Sequence, residues 1–260
     1  MNGPVVKNDS GSLAGSANNT QSFRVCSWNG GGAIRKRVSV NPGLSSLLKS
    51  KPDIFVYGES ATPNARGLFL NGYRFLLHRS YLNNKENYRR GMIIFYREKY
   101  HNIISKVYSS KTFDIVWIRI VTKENPLFFC FFYAPGAHCP EEVRISFYEN
   151  MSKSYTKIAD KGRKYLLGDA NARLGSLIND LNIHGIPIEN KNKPLFMGFI
   201  EFCGITLLNK IYANGVPTYD TPNAKRSIID MGMTNALITV SYFKVLSVNL
   251  GVTLKRVIKQ

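Results

Sequence analysis

The sequence is short of acids. Its 260 residues carry 35 Lys and Arg against 17 Asp and Glu, a formal charge of +18. Such an imbalance favours polyanions, because each neutralised phosphate releases counterions. Nucleic acid is the expected partner, ahead of an acidic membrane surface. The basic residues are dispersed, with small clusters at Arg35-Lys36-Arg37 and Arg89-Arg90, so no patch can be drawn. Also missing is any apolar run near the ~20 residues that span a bilayer. The most apolar stretch, Leu127 to Ala134, has the length of a buried strand. Cysteine is scarce: Cys26, Cys130, Cys139 and Cys203 show no Cys-x-x-Cys spacing. That is the usage of a reduced, intracellular protein, nuclear or cytoplasmic. The first twenty residues lack the apolar segment of a secretory signal. Residues 1–21, rich in Asn, Ser, Gly and Ala without periodicity, read as a flexible tail, with one ordered domain over 22–260.

What is present is a globular composition, 44% hydrophobic and 20% charged, with apolar runs that stop at polar residues. The clearest is Lys164-Tyr165-Leu166-Leu167-Gly168-Asp169-Ala170-Asn171. Aromatic and branched residues suit a strand, and Gly168 is expected to turn sharply after it. If the backbone stays extended, Asp169 and Asn171, two apart, leave the same face. Similar runs are Phe23 to Asn29, Pro52 to Ser60 with Glu59 near its end, Arg90 to Tyr96, Phe113 to Ile120, and Leu127 to Tyr133. Glu141 to Lys157 spaces Val143, Phe147 and Tyr148 as a helix face, and Asn190 to Asn209 reads as a helix followed by a strand. Residues Lys225 to Met233 carry Asp230, and Phe243 to Val248 reads as a last strand. Mixed strands and helices without strict alternation predict a layered α/β fold.

Taken in order, the polar strand ends are Asn29, Glu59, Tyr133, Asp169 with Asn171, and Asp230. The series Ser-Trp-Asn, Pro-Asp-Ile…Glu, Tyr-Ala-Pro, Gly-Asp-x-Asn and Ser-Ile-Ile-Asp resembles the endonuclease/exonuclease/phosphatase superfamily, which includes DNase I-like and abasic-site nucleases. Within it the chain is most similar to the endonuclease domains of non-LTR (LINE-type) retrotransposons, through Gly168 to Gly175, Pro217-Thr218-Tyr219 and Ser227 to Asp230. The resemblance implies a four-layer α/β sandwich, two packed sheets flanked by helices, with the site at one end. It implies a Mg²⁺- or Mn²⁺-dependent enzyme that nicks DNA by water attack on a phosphodiester. By resemblance Glu59 holds the metal, with Asn29 beside it at the phosphate. Asp169 orients or deprotonates the water, Asn171 and Tyr133 contact the phosphate, Thr218 lies near the substrate, and Asp230 pairs with a histidine.

That histidine is missing. The family closes with a Ser-Asp-His-like motif, whereas here the region reads Ser247-Val248-Asn249-Leu250-Gly251-Val252-Thr253-Leu254. Neither Ser247 nor Thr253 starts an Asp-His pair. Of the four histidines, His78, His101, His138 and His184, only His138 follows a loop expected near the site. Loss of an electrostatic stabiliser costs ~10²–10³ in rate, and loss of a general acid or base a similar factor. The alternative is therefore an impaired or inactive relic that keeps nucleic-acid binding. A phospholipid or inositol phosphate substrate is a third reading, which the retrotransposon-like motifs oppose.

Overall fold

The computed structural model describes residues 22–29, 48–61, 68–78, 81–82, 88–158, 162–220, 226–245 and 254–258. The expected tail, the glycines after Asn29 and residues 247–253 of the region searched for the Asp-His motif lie outside the described residues, while the rest of that region enters β16. In chain order the strands are β1 (Phe23–Asn29), β2 (Ile54–Gly58), β3 (Tyr73–His78), β4 (Tyr81–Leu82), β5 (Tyr88–Arg89), β6 (Met92–Arg97), β7 (Ile104–Ser109), β8 (Asp114–Ile120), β9 (Leu127–Tyr133), β10 (Arg163–Asp169), β11 (Thr206–Leu207), β12 (Tyr219–Asp220), β13 (Arg226–Ser227), β14 (Asp230–Thr234), β15 (Val240–Val245) and β16 (Leu254–Ile258). The helices are α1 (Glu141–Lys157), α2 (Lys193–Cys203) and the short α3 (Leu208–Tyr212).

Two six-stranded sheets result, ordered β15-β16-β1-β2-β6-β3 and β11-β14-β10-β9-β8-β7. Each has one parallel pair at its heart, β1 with β2 and β9 with β10, and is antiparallel elsewhere. Alternation assigns the faces. Phe23, Val25, Ile54, Val56, Met92 and Ile94 from the first sheet meet Val116, Ile118, Phe129, Phe131, Tyr165 and Leu167 from the second, forming the inter-sheet core. The opposite face of the second sheet, with Trp117, Cys130, Phe132 and Leu166, packs under α1 and α2 through Phe147, Met151, Phe196 and Phe199. The outer face of the first sheet, with Trp28, Phe55 and Phe95, is covered by Leu48, Leu68 and Leu70. Central strands buried on both faces read as continuous apolar runs, which is why Leu127 to Phe132 stands out in the sequence.

The expected α/β sandwich is present, with three differences in detail. Strands β3, β7 and β16 were not legible. Tyr73–His78 is only partly buried, the register of β7 on β8 slips between Lys106 and Tyr108 and breaks its alternation, and β16 takes its place from long-range pairing with β1 and β15. The described part of the expected last strand, Phe243 to Val245, belongs to β15, which begins at Val240 and is followed by β16. After α2, capped by Gly204 at φ +59°, the strand is only Thr206–Leu207 before Leu208 starts α3. All four cysteines are free, as the spacing implies. Among the described residues no helix is long and apolar enough to cross a membrane.

Candidate active site

The parallel pairs β1/β2 and β9/β10 end at the same pole of the sandwich. There the period-two pattern that builds the core runs on past the last apolar layer into polar residues. In the second sheet the terminal register is a row of four cross-strand neighbours, Asp114↔Tyr133, Tyr133↔Asp169 and Asp169↔Asp230. In the first sheet the facing row is His78↔Met92, Met92↔Gly58 and Gly58↔Asn29. Every member stands on the inner side: each lies an even number of residues from an inner-face position of its own strand, and Asp230 alternates with Met231 and Met233, which face the helices. The site is therefore a polar lid over one end of the inter-sheet core, assembled from both sheets.

The two rows bond to each other. The Asn29 side chain hydrogen-bonds the buried Asp169 carboxylate. Glu59, one residue beyond β2, has a left-handed backbone at φ +50°, and the Tyr133 hydroxyl donates to its carboxylate. Asn171 bonds the same Tyr133 hydroxyl and also donates through Nδ2 to the Ala134 carbonyl at 2.8 Å. Thr218, fully buried, accepts the amides of Ile229 and Asp230 at its Oγ1, at 2.9 and 3.0 Å, and its side chain bonds the Asp230 carboxylate. The residues singled out in the sequence, Asn29, Glu59, Tyr133, Asp169, Asn171, Thr218 and Asp230, all converge here.

Two local expectations are corrected. Asp169 and Asn171 do not share a face through extended backbone: Asn171 has φ +46°, and its amide turns back to donate to Asp169 Oδ1 at 2.7 Å. Gly168 does not make that turn. It stays in β10, where a Cβ would lie 1.9 Å from the Phe132 carbonyl oxygen, so close strand approach demands glycine there. Ala170 is fully buried and its carbonyl accepts the Tyr148 hydroxyl at 3.0 Å.

Sequence reasoning missed the support beneath Asn171. Asn190 and the fully buried Asn192 each donate through Nδ2 to the Asn171 carbonyl, at 2.8 and 3.0 Å, and Asn192 also donates to the Pro135 carbonyl at 2.8 Å. Their only signal was an Asn-x-Asn pair at the foot of an apolar helix. Asn209, also buried, brackets Asp230 by donating to its carbonyl and accepting the Gly232 amide.

Electrostatically the corner is a cluster of buried acids. Burial, and then the neighbouring Asp230 charge, push the Asp169 pKa well above the usual carboxylate range. Burial raises Asp230 to about 7, against the Thr218 hydrogen bond and with help from Glu59. Burial and the charges of Asp169 and Glu59 push the Tyr133 phenol up, keeping it a neutral donor. Acids that raise one another's pKa are donor chemistry for a hard divalent cation. Among the described residues no three His, Cys, Asp or Glu stand close enough to enclose an ion. Glu59, Asp169 and Asp230 are the carboxylates of this corner that could contribute to such an ion, which Mg²⁺ completes with waters and substrate oxygens.

No protein-family model matches the sequence, and no curated protein matches it. Solved structures do. An endonuclease domain of TRAS1, a telomere-specific non-LTR retrotransposon, superposes with TM-score 0.64 at 17% identity, over 92% of this chain and 99% of that one. An AP endonuclease from Archaeoglobus fulgidus superposes with TM-score 0.69 at 14% identity, over 91% and 99%. The chain has the DNase I-like fold. Both neighbours are covered almost end to end, so the likeness is to the whole domain fold.

Proposed function

We propose that this protein is a metal-dependent phosphodiesterase of the endonuclease kind, which nicks DNA by water attack on phosphorus. The observation that carries the reading is the convergence of Asn29, Glu59, Tyr133, Asp169, Asn171, Thr218 and Asp230 on one polar corner that straddles both sheets. A +18 chain suits a polyphosphate substrate. Glu59 would hold the cation, which when bound supplies charge neutralisation at the phosphate oxygens. Asp169, positioned by the Asn171 amide and the Asn29 side chain, orients the attacking water and takes its proton as the new P–O bond forms and the P–O bond to the leaving sugar oxygen breaks, that oxygen taking a proton from solvent. Burial, which raises the Asp169 pKa, strengthens its hold on that proton. Asn171 and Tyr133 offer N–H and O–H donors to the non-bridging oxygens, and Asn29 completes the phosphate cradle. Thr218 and Asn209 fix the strand that presents Asp230.

A second reading, a domain that binds nucleic acid without cutting it, has its own observation. Among the described residues no imidazole stands with the groups that act on Asp230, and its hydrogen-bond partner there is Thr218. His78 is paired with Asp114, His101 stacks on Tyr96, the exposed His138 rests against Gly136, and the His184 amide is held by Asn182. Incubation with supercoiled plasmid and Mg²⁺ or Mn²⁺ separates the two. Nicking that depends on the ion and disappears in Glu59→Ala and Asp169→Ala is the expected result. Salt-dependent binding with no nicking above those variants would transfer the assignment to the binding reading.

A further inference from the structure

The row Asp114–Tyr133–Asp169–Asp230 contains one residue that the proposed chemistry does not use. Asp114 opens β8 directly across from Tyr133 and faces His78, the last residue of β3 in the other sheet. The imidazole Nε2 lies 3.0 Å from Asp114 Oδ1, with both side chains nearly sealed, 9% and 3% exposed. The ring's Nδ1 is 2.9 Å from Ser109 Oγ at the end of β7. One histidine thus ties the edge strand of the first sheet to two strands of the second. Among the described residues the two sides meet through Asn29 with Asp169, Glu59 with Tyr133, and the Asp114 carboxylate with His78 and the Gly91 amide. The first two belong to the candidate site. The third is outside it.

The same carboxylate reaches the Glu59 segment. Asp114 Oδ1 accepts the Gly91 amide at 3.3 Å. The carbonyls of Gly91 and Arg90 in turn accept the amides of Ser60 and Ala61, each at 3.0 Å. Glu59, Ala61, Arg90 and Gly91 all have positive φ, +50°, +46°, +59° and +79°. A backbone of that kind persists when its surroundings over-determine it. Here the surroundings are the hydrogen bonds that lead back to Asp114. Asp114 Oδ2 is buried and makes no hydrogen bond among the described residues, so the carboxylate is not a saturated packing element. Its bonds are confined to the oxygen that faces His78 and Gly91.

We propose that His78 and Asp114 form a cross-sheet clamp that sets where Glu59 stands relative to Tyr133 and Asp169. They are positioning residues, and their effect on turnover rests on the endonuclease reading above. The test compares wild type, His78→Phe, which breaks the clamp, and His78→Gln, which keeps a side-chain N–H and an acceptor. Amide hydrogen exchange is read over 58–61 and 90–92, with 127–133 as the core reference, beside plasmid-nicking kinetics and DNA binding. In His78→Phe, exchange at Ser60, Ala61 and Gly91 should rise at least ~10-fold with the core reference unchanged. The nicking kcat should fall ~10–100-fold, as for a group displaced by about an ångström, with the DNA Kd unchanged within about twofold. His78→Gln should restore most of both. Unchanged exchange at those amides, exchange that rises equally in the core, or a Gln variant no better than Phe would overturn the clamp. Exchange that behaves as expected in a protein that never nicks supports the clamp and rejects the endonuclease reading.

Discussion

Gly168→Ala tests the packing logic of the site at a residue that carries no chemistry. The added Cβ would stand 1.9 Å from the Phe132 carbonyl oxygen and 2.8 Å from its carbon, both backbone atoms of the neighbouring strand. Ordinary contact starts near 3.4 Å, so β9 and β10 must part by about 1.5 Å. Side-chain rotation offers no escape, because neither atom belongs to a side chain. Overpacking of this kind costs ~1–3 kcal/mol, and the upper end applies where backbone must move. The stiffer unfolded chain returns ~0.4–1 kcal/mol, leaving a net loss of about 2 kcal/mol. At ~2–4 °C per kcal/mol for a domain of this size, the melting temperature should drop ~4–8 °C. The next register is Tyr133 with Asp169, so an ångström of misplacement should lower nicking ~100-fold. Gly198→Ala is the control. It sits in α2, its Cβ meets nothing within 4 Å, and it should stabilise by ~0.5–1 kcal/mol. Thermal melts and nicking rates of both variants check the reasoning. A Gly168→Ala protein that melts like wild type and nicks within twofold of it would refute the account of why glycine precedes Asp169.

Thr218→Val removes the acceptor of two amides beside Asp230, so it should destabilise by ~1–3 kcal/mol in urea unfolding, while Thr218→Ser stays close to wild type. Asp230→Asn should stabilise the protein in chelator at pH 8 and lose that advantage at pH 4. Burial raises the Asp230 pKa above its unfolded value of 3.8, to about 7. The folded protein therefore keeps a proton that the unfolded chain has already released. That penalty grows as pH rises from about 4 and is complete above about 7, the reverse of the usual salt-bridged carboxylate. Melting curves across that range, with a flatter pH dependence in the variant, are the measurement. An equal slope in both proteins would count against the acid cluster.

Much of the site was legible because it continues the core's own pattern. Phe23-Val25 leads by twos to Asn29, Phe129-Phe131 to Tyr133, and Tyr165-Leu167 to Asp169, so the alternation that predicts strands also predicts polar ends on one face. Thr218 and Asp230 lie outside the apolar runs and needed the motif resemblance. Asp114 was visible only as the start of a strand, and His78 as a histidine in no known position. Their pairing spans two sheets and 36 residues of sequence separation that no local rule encodes. Asn190 and Asn192 were equally silent, since an Asn before a helix reads as a cap until its amide is seen on the Asn171 carbonyl.

By itself, then, the sequence determined the central strands, the layered class and the kinds of group at their ends, because period-two burial and residue chemistry are local properties. Tertiary structure decided the rest. It placed Asp169 opposite Asp230 without a histidine between them, put the tight turn at Asn171 and not at Gly168, and brought His78 against Asp114. Each of these depends on strand register and on the distance between sheets, which arise only when remote segments pack and their charges share one buried corner.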